Sequence, residues 1–156
     1  MAKILNPGDK APAFTLQREN GEKVSLHSLR GSKVVLYFYP RAGTPGCTQE
    51  AIAFNGKRKD FTKANTAIIG VSADPIKAQQ KFGDKYEIAF PLLSDETHKM
   101  LSAYGAWGKK SLYGKTFLGV KRITYLIDEK GVIARVWPKV KVAGHAEEVL
   151  AEARAI

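Results

Sequence analysis

The chain carries one thiol, Cys47, in "RAGTPGCTQE" (residues 41–50), directly after the apolar run "KVVLYFYP" that ends at Pro40. Thr44 has the chemistry of a helix N-cap, and Pro45 suits the first helical position, where its missing N–H costs nothing. Cys47 then falls third in the first turn, the place a capping box gives to Glu or Gln. Unpaired backbone N–H groups and the helix dipole favour negative charge there. Cysteine is a nucleophile only as its thiolate, so such a corner is a way to build one. Gly43 and Gly46 leave the backbone uncovered and give a small substrate a path to the sulfur. A cysteine that merely fills space is the plainer alternative, since free cysteine is among the most buried residue types. The strand-to-helix corner favours the reactive reading.

A second candidate is Arg122 in "VKRITYLI". On a strand it would share a face with Val120, Thr124 and Leu126, while Ile123, Tyr125 and Ile127 make the other face apolar. A charge set among apolar residues needs a partner, and a thiolate is a suitable one. An arginine at an exposed strand start is an equal alternative on spacing alone. Glu50 stands three residues past Cys47, where a solvated helix glutamate is the competing reading. With a single cysteine the chain can form neither an internal disulfide nor a CxxC redox pair. His27, His98 and His145 lie far apart and show no metal-ligand spacing with Cys47, so a metal site is not expected.

The elements that must position these residues follow from periodicity. Asn20-Gly21 between two alternating segments predicts an N-terminal β-hairpin. "KVVLYFYP" and "TAIIGVSA" read as strands buried on both faces. A helix is predicted over 45–64, with Phe54 and Phe61 inward, and another from an Asp74 N-cap and Pro75 to about 85. "FPLLSD" predicts a short strand, and Asp95 a cap for a helix through "THKMLSAYG". "VKRITYLI" and "VIARVW", joined by "DEKG", predict a second hairpin, and "HAEEVLAEARAI" a closing helix. The order β-hairpin, β, α, β, α, β, α, β, β, α argues for an α/β fold with a mixed central sheet flanked by helices; a thioredoxin-like arrangement fits it, while periodicity alone gives only the α/β class.

The 156 residues, 44% hydrophobic and 26% charged, suit one domain over 1–156 with a substantial core. The N-terminus lacks the apolar stretch of a signal peptide, and "VVLYFY" is too short to cross a bilayer, so a cytoplasmic protein without membrane contact is expected. The net charge of +10 is spread over "KRK", "KK" and "KVK" with no nucleic-acid motif beside them. A solvated basic surface, and no nucleic-acid partner, is the expectation.

"YFYPRAGTPGCTQE" resembles the active-site segment of the peroxiredoxins, whose pattern Pro-x-x-x-Thr-x-x-Cys is matched by Pro40, Thr44 and Cys47. The Thr-Pro-Gly-Cys-Thr run, "LLSDE", "YGAWGKKS" and "RITYLIDEKG" are similar to the bacterioferritin-comigratory, or peroxiredoxin Q, branch. The resemblance implies a thiol peroxidase acting on hydrogen peroxide and organic hydroperoxides through a Cys47 sulfenic acid. It also implies roles: Thr44 holding thiolate and peroxide, Pro40 shielding the pocket, Arg122 stabilising charge and Glu50 orienting Arg122. Many relatives carry a resolving cysteine five residues on, where this chain has Ile52; others carry it on the next helix, where "DPIKAQQKFGDKYE" has none. A one-cysteine form is implied, a monomer or weak homodimer recycled by thioredoxin, glutaredoxin or a small thiol. Two other classes stay open on the residues alone: a cysteine hydrolase, which needs a histidine beside Cys47, and a basic binding module with an inert thiol.

Overall fold

An antiparallel hairpin comes first, with β1 (Thr15–Gln17) paired to β2 (Lys23–Ser25). Its turn carries Asn20-Gly21 as predicted: Gly21 takes φ +86°, and its N–H donates to the Arg18 carbonyl at 2.8 Å. The computed structural model describes residues 3–156; Met1 and Ala2, which begin the expected 1–156 domain, lie outside the described residues.

The central sheet has five strands, β3 (Lys33–Phe38), β4 (Thr66–Ser72), β5 (Leu92–Ser94), β8 (Ile123–Ile127) and β9 (Ile133–Trp137), in the spatial order β5-β4-β3-β8-β9. Strand β3 runs parallel to β4 and antiparallel to β8, so the sheet is mixed. All six residues of β3 are buried, which is why the sequence there is a continuous apolar run rather than an alternating one. Val34, Leu36 and Phe38 enter one core with Met100, Leu101, Tyr104 and Tyr125. Val35, Tyr37 and Tyr39 enter the other with Cys47, Phe54, Phe61 and Val149. Each such side chain contributes roughly 1.5–3 kcal/mol by leaving water, so β3 is a firm base for the corner that follows it.

The second core is covered by α1 (Pro45–Gly56), α2 (Arg58–Lys63) and α5 (His145–Ala155), with Phe82 of α3 (Ile76–Lys85) beside them; α4 (Lys99–Ala103) covers the first. The helix expected over 45–64 is broken at Lys57, whose φ of −106° and ψ of 7° leave the helical range. Its N–H tightens onto the Phe54 carbonyl at 3.1 Å, and Gly56, a poor helix former, sits at the break. Phe54 and Phe61, seven residues apart, stay on the one buried face across the break, their ring centroids 6.0 Å apart.

Two caps differ from expectation. The N-cap of α3 is Pro75, and the Asp74 carboxylate instead accepts the Ala42 N–H at 2.8 Å and the Ser72 hydroxyl at 2.6 Å. Asp95 reaches α4 from outside the N-cap, accepting the Leu101 N–H at 2.8 Å. The larger correction is an unpredicted antiparallel hairpin, β6 (Trp107–Leu112) and β7 (Lys115–Val120), turning on Tyr113 and Gly114 at φ 53° and 76°. It ends at Val120, so "VKRITYLI" is not one strand: Lys121 and Arg122 lie between β7 and β8. No described helix is long and apolar enough to cross a membrane.

Candidate active site

Strand β3 delivers the chain to a bend at half-buried Pro40, and residues 41–43 carry it to α1. Asp74, at the end of β4, pins this connection through the Ala42 N–H. Its other partner, Ser72, accepts from the Gln79 amide at 2.9 Å, and Gln79 in turn accepts from the buried Tyr39 hydroxyl. The corner is thus tied to both β4 and α3. Thr44 is the N-cap of α1, as predicted, with φ −76° and ψ 155° and its carbonyl accepting the Thr48 N–H at 2.9 Å. Its hydroxyl makes no cap bond and donates to the Arg41 carbonyl at 2.7 Å. Since a hydroxyl has one proton, that bond leaves only its lone pairs for other partners.

Cys47 occupies the third helical position and is 1% exposed. The Arg122 guanidinium meets it from the β7–β8 connection: Nη2 lies 3.4 Å from Cys47 Sγ, and Nη1 donates to Glu50 Oε1 at 2.6 Å. Cys47 and Glu50, three apart on α1, share one helix face, and the planar fork of a single arginine reaches both. Gly46 makes that approach possible, because a Cβ there would stand 3.2 Å from Arg122 Nη2. The glycine expected to open a path for substrate is therefore occupied by the guanidinium, whereas Gly43, at φ +85°, has open space around it.

The electrostatics of the pair are unequal. Burial pulls Arg122 down, but the charges of Glu50 and Cys47 and its hydrogen bonds to them outweigh it and hold it above its ordinary value. Glu50 is pushed up to about 7, because burial opposes its charge more than Arg122 favours it. The guanidinium stays charged across the physiological range in either case, so Glu50 is the partner that titrates. Its Oε2 has no hydrogen-bond partner among the described residues, which is consistent with a site for a proton.

None of the three histidines takes the place a cysteine hydrolase needs. His98 stacks on Trp107 with ring centroids 3.7 Å apart. His145 Nε2 lies 2.8 Å from Thr124 Oγ1, edge-on to Phe54 and Trp137. His27 belongs to a short 3-10 turn, Ser28 and Leu29 completing it. The grouping of Cys47, Arg122 and Glu50 is the one the resemblance implies, where spacing alone left it open; sequence reasoning misses Asp74 as the anchor of the corner and Gly46 as the seat of the guanidinium. A glycine one residue before the thiol was the available signal for the second.

Residues 7–136 match the AhpC/TSA family. A Coxiella burnetii protein carrying the bcp peroxiredoxin name is 49% identical over 146 residues, covering 94% of this chain and 97% of that one. Among solved structures, a bacterioferritin comigratory protein of Xanthomonas campestris, described for its alkyl peroxide reduction activity, superposes with a TM-score of 0.88 at 38% identity, covering 99% of this chain and 98% of that one. A cysteine-to-serine mutant of PrxQ from Xylella fastidiosa gives a TM-score of 0.93 at 33% identity, covering 98% of each chain.

Proposed function

The chain belongs to the AhpC/TSA family, in its Bcp/PrxQ peroxiredoxin branch, and on that footing we propose that Cys47 is the nucleophile of this thiol peroxidase. The observation that carries the assignment is the fork of Arg122 between Cys47 Sγ and Glu50 Oε1. As in the Xanthomonas relative, the substrates are alkyl hydroperoxides, and hydrogen peroxide with them.

The chemistry follows from the arrangement. The Cys47 thiolate attacks one peroxide oxygen; an S–O bond forms as the O–O bond breaks, and the second oxygen leaves as alkoxide or hydroxide. Sulfur is oxidised to the sulfenic acid, and the leaving oxygen takes a proton to become alcohol or water. Negative charge therefore moves from sulfur to the departing oxygen. Arg122, beside the sulfur, and the uncapped N–H groups in the first turn of α1 are donors fixed in advance for that charge. Thr44 offers lone pairs to the peroxide proton, and Pro40 bounds the corner on the strand side.

Cys47 is the only cysteine, and Ile52 on α1 is 48% exposed. The sulfenic acid is thus reduced by an external thiol, of the thioredoxin, glutaredoxin or small-molecule kind. The first thiol forms a mixed disulfide and expels water; a second releases Cys47 and leaves as the disulfide. Because the sulfur is 1% exposed, a protein thiol reaches it only when the first turn of α1 moves. Residues 1–156 act as one domain, a monomer or weak homodimer of the cytoplasm, without a cofactor.

The test is intact mass after one equivalent of hydrogen peroxide, within seconds and with a sulfenic-acid trap present. Wild type takes up the trap at Cys47; Cys47→Ser takes up none. Arg122→Lys keeps the charge but loses the fork, and its reaction slows by roughly 10²-fold, as for loss of one fixed transition-state donor. An untrapped wild-type thiol, or an Arg122→Lys variant as fast as wild type, sinks the assignment.

A further inference from the structure

The hairpin β6–β7 leads directly into Arg122, and among the described residues its one side-chain hydrogen bond, part-buried, is made by Lys110. Lys110 Nζ donates to the Val120 carbonyl at 2.8 Å, two residues before Arg122. The stem reaches that carbonyl by lying over Gly119, where a Cβ would stand 3.1 Å from Lys110 Cδ. Gly108, opposite Gly119 in the ladder, leaves similar room for Lys121, whose Cε would stand 3.3 Å from a Cβ there. Gly46 does the same for Arg122. Three glycines thus leave the room in which three cations lie, Lys110, Lys121 and Arg122. The backbone of the Arg122 segment is also held by the Lys121 N–H donating to the Ala106 carbonyl at 2.7 Å and by the Val140 N–H donating to the Arg122 carbonyl at 3.4 Å, and its side chain by Glu50.

A tether to one carbonyl needs a donor but not a charge, and a half-buried ammonium is a costly donor unless its charge is used. Among the described residues Lys110 pairs with no carboxylate. We propose that Lys110 is a positioning residue of the peroxidase site: tethered to the Val120 carbonyl, its ammonium fixes the segment that carries Arg122 and adds a second positive charge around Cys47. In keeping with this, burial and then the Arg122 charge lower Lys110 from its ordinary value, while the charge of Cys47 acts to raise it. This rests on the assignment of Cys47 and Arg122 made above, and deepens it.

The test compares wild type, Lys110→Met and Lys110→Arg in two assays at pH 7. One is the rate of peroxide reduction with dithiothreitol as reductant; the other is alkylation of Cys47 by iodoacetate, an anion, and by iodoacetamide, its neutral analogue. Removing the charge is expected to slow peroxide reduction about tenfold, the size of a modest loss of transition-state stabilisation. It is also expected to lower the iodoacetate-to-iodoacetamide rate ratio about threefold, because the positive field draws the anion preferentially. Lys110→Arg keeps both within about threefold of wild type. A Lys110→Met variant with the wild-type ratio overturns the proposal, whether its rates are unchanged or fall equally, since equal falls are those of lost packing. Lys110→Gln, which keeps a donor, serves if the methionine variant folds poorly, and the same ratio decides. Wild-type protein that turns over no peroxide defeats the peroxidase assignment instead, and the alkylation ratio still reads the field of Lys110.

Discussion

Replacing Glu50 by glutamine should change how the stability of this protein depends on pH. Glu50 is buried to 1% exposure, and in the fold it ionises at about 7 rather than near its ordinary 4.5. Burial is the larger cause, and the 2.6 Å bond to Arg122 offsets it only in part. Because the folded value is raised, the folded protein holds a proton that the unfolded chain has already released. The associated stability is complete below the unfolded value and is lost as pH rises through the folded one. At about 1.36 kcal/mol per pH unit the whole displacement is worth about 3 kcal/mol, of which about 2 to 3 falls between pH 5 and 8. Urea unfolding of wild type and Glu50→Gln, followed by the fluorescence of Trp107 and Trp137, measures it at pH 5, 6, 7 and 8. The quantity that matters is the wild-type unfolding free energy minus that of the variant. Every other titrating group is common to both proteins and cancels, and the fixed cost of the amide beside Arg122 offsets the difference by a constant without altering its change with pH. The difference should fall by about 2 to 3 kcal/mol across the range. A difference that stays flat, or rises, would mean that the ion pair outweighs burial, and the reasoning would be wrong.

Two further outcomes follow from the same geometry. Gly46→Ala puts a Cβ 3.2 Å from Arg122 Nη2, so the guanidinium must shift by a few tenths of an ångström; peroxide reduction should slow roughly three- to tenfold. Unfolding should show stability equal or up to about 1 kcal/mol higher, since alanine is the better helix former; equal losses in both would point to misfolding rather than displacement. His145 is pushed down to about 4, chiefly by burial, and is neutral at pH 7. A lowered folded value means stability present above the unfolded value, near 6.5, and lost as pH falls through about 4. Wild type should therefore lose about 3 kcal/mol over that interval that His145→Gln does not, in unfolding curves taken at pH 7 and pH 4.

What was legible in the sequence was what local physics decides without long-range help. β3 announces itself because all six of its residues are buried, and Pro45 with Cys47 announces the start of α1 because the first turn of a helix has its own rules. The "DEKG" hairpin and α5 follow for similar reasons. What was hidden depended on contacts made far along the chain. Asp74 looks like a cap beside Pro75, but the Ala42 N–H, 32 residues away, claims its carboxylate. The helix of 45–64 looks continuous, since Phe54 and Phe61 share one face either way, yet its backbone leaves the helical range at Lys57. The β6–β7 turn was missed because Tyr113 holds a left-handed conformation in which asparagine is the usual signal. Missing that hairpin placed Arg122 within a strand, when it lies on the connection after one.

That last error bears on how the site works. An arginine inside β8 would have its backbone fixed by ladder bonds to β3 and β9, and its side chain would leave the sheet perpendicular to it. On the connection between β7 and β8 its direction is instead set by whatever holds the hairpin: the Lys121 N–H on Ala106, the Lys110 ammonium on Val120 and the space left by Gly46. The thiol is mounted on a fully buried strand and the helix that follows it, while its cation lies between the buried strand β8 and a hairpin whose tip is exposed at Leu112 and Tyr113. The two supports meet at one 3.4 Å contact. Substitutions that loosen the hairpin should therefore reach the sulfur through Arg122 while the core around β3 stays as it is.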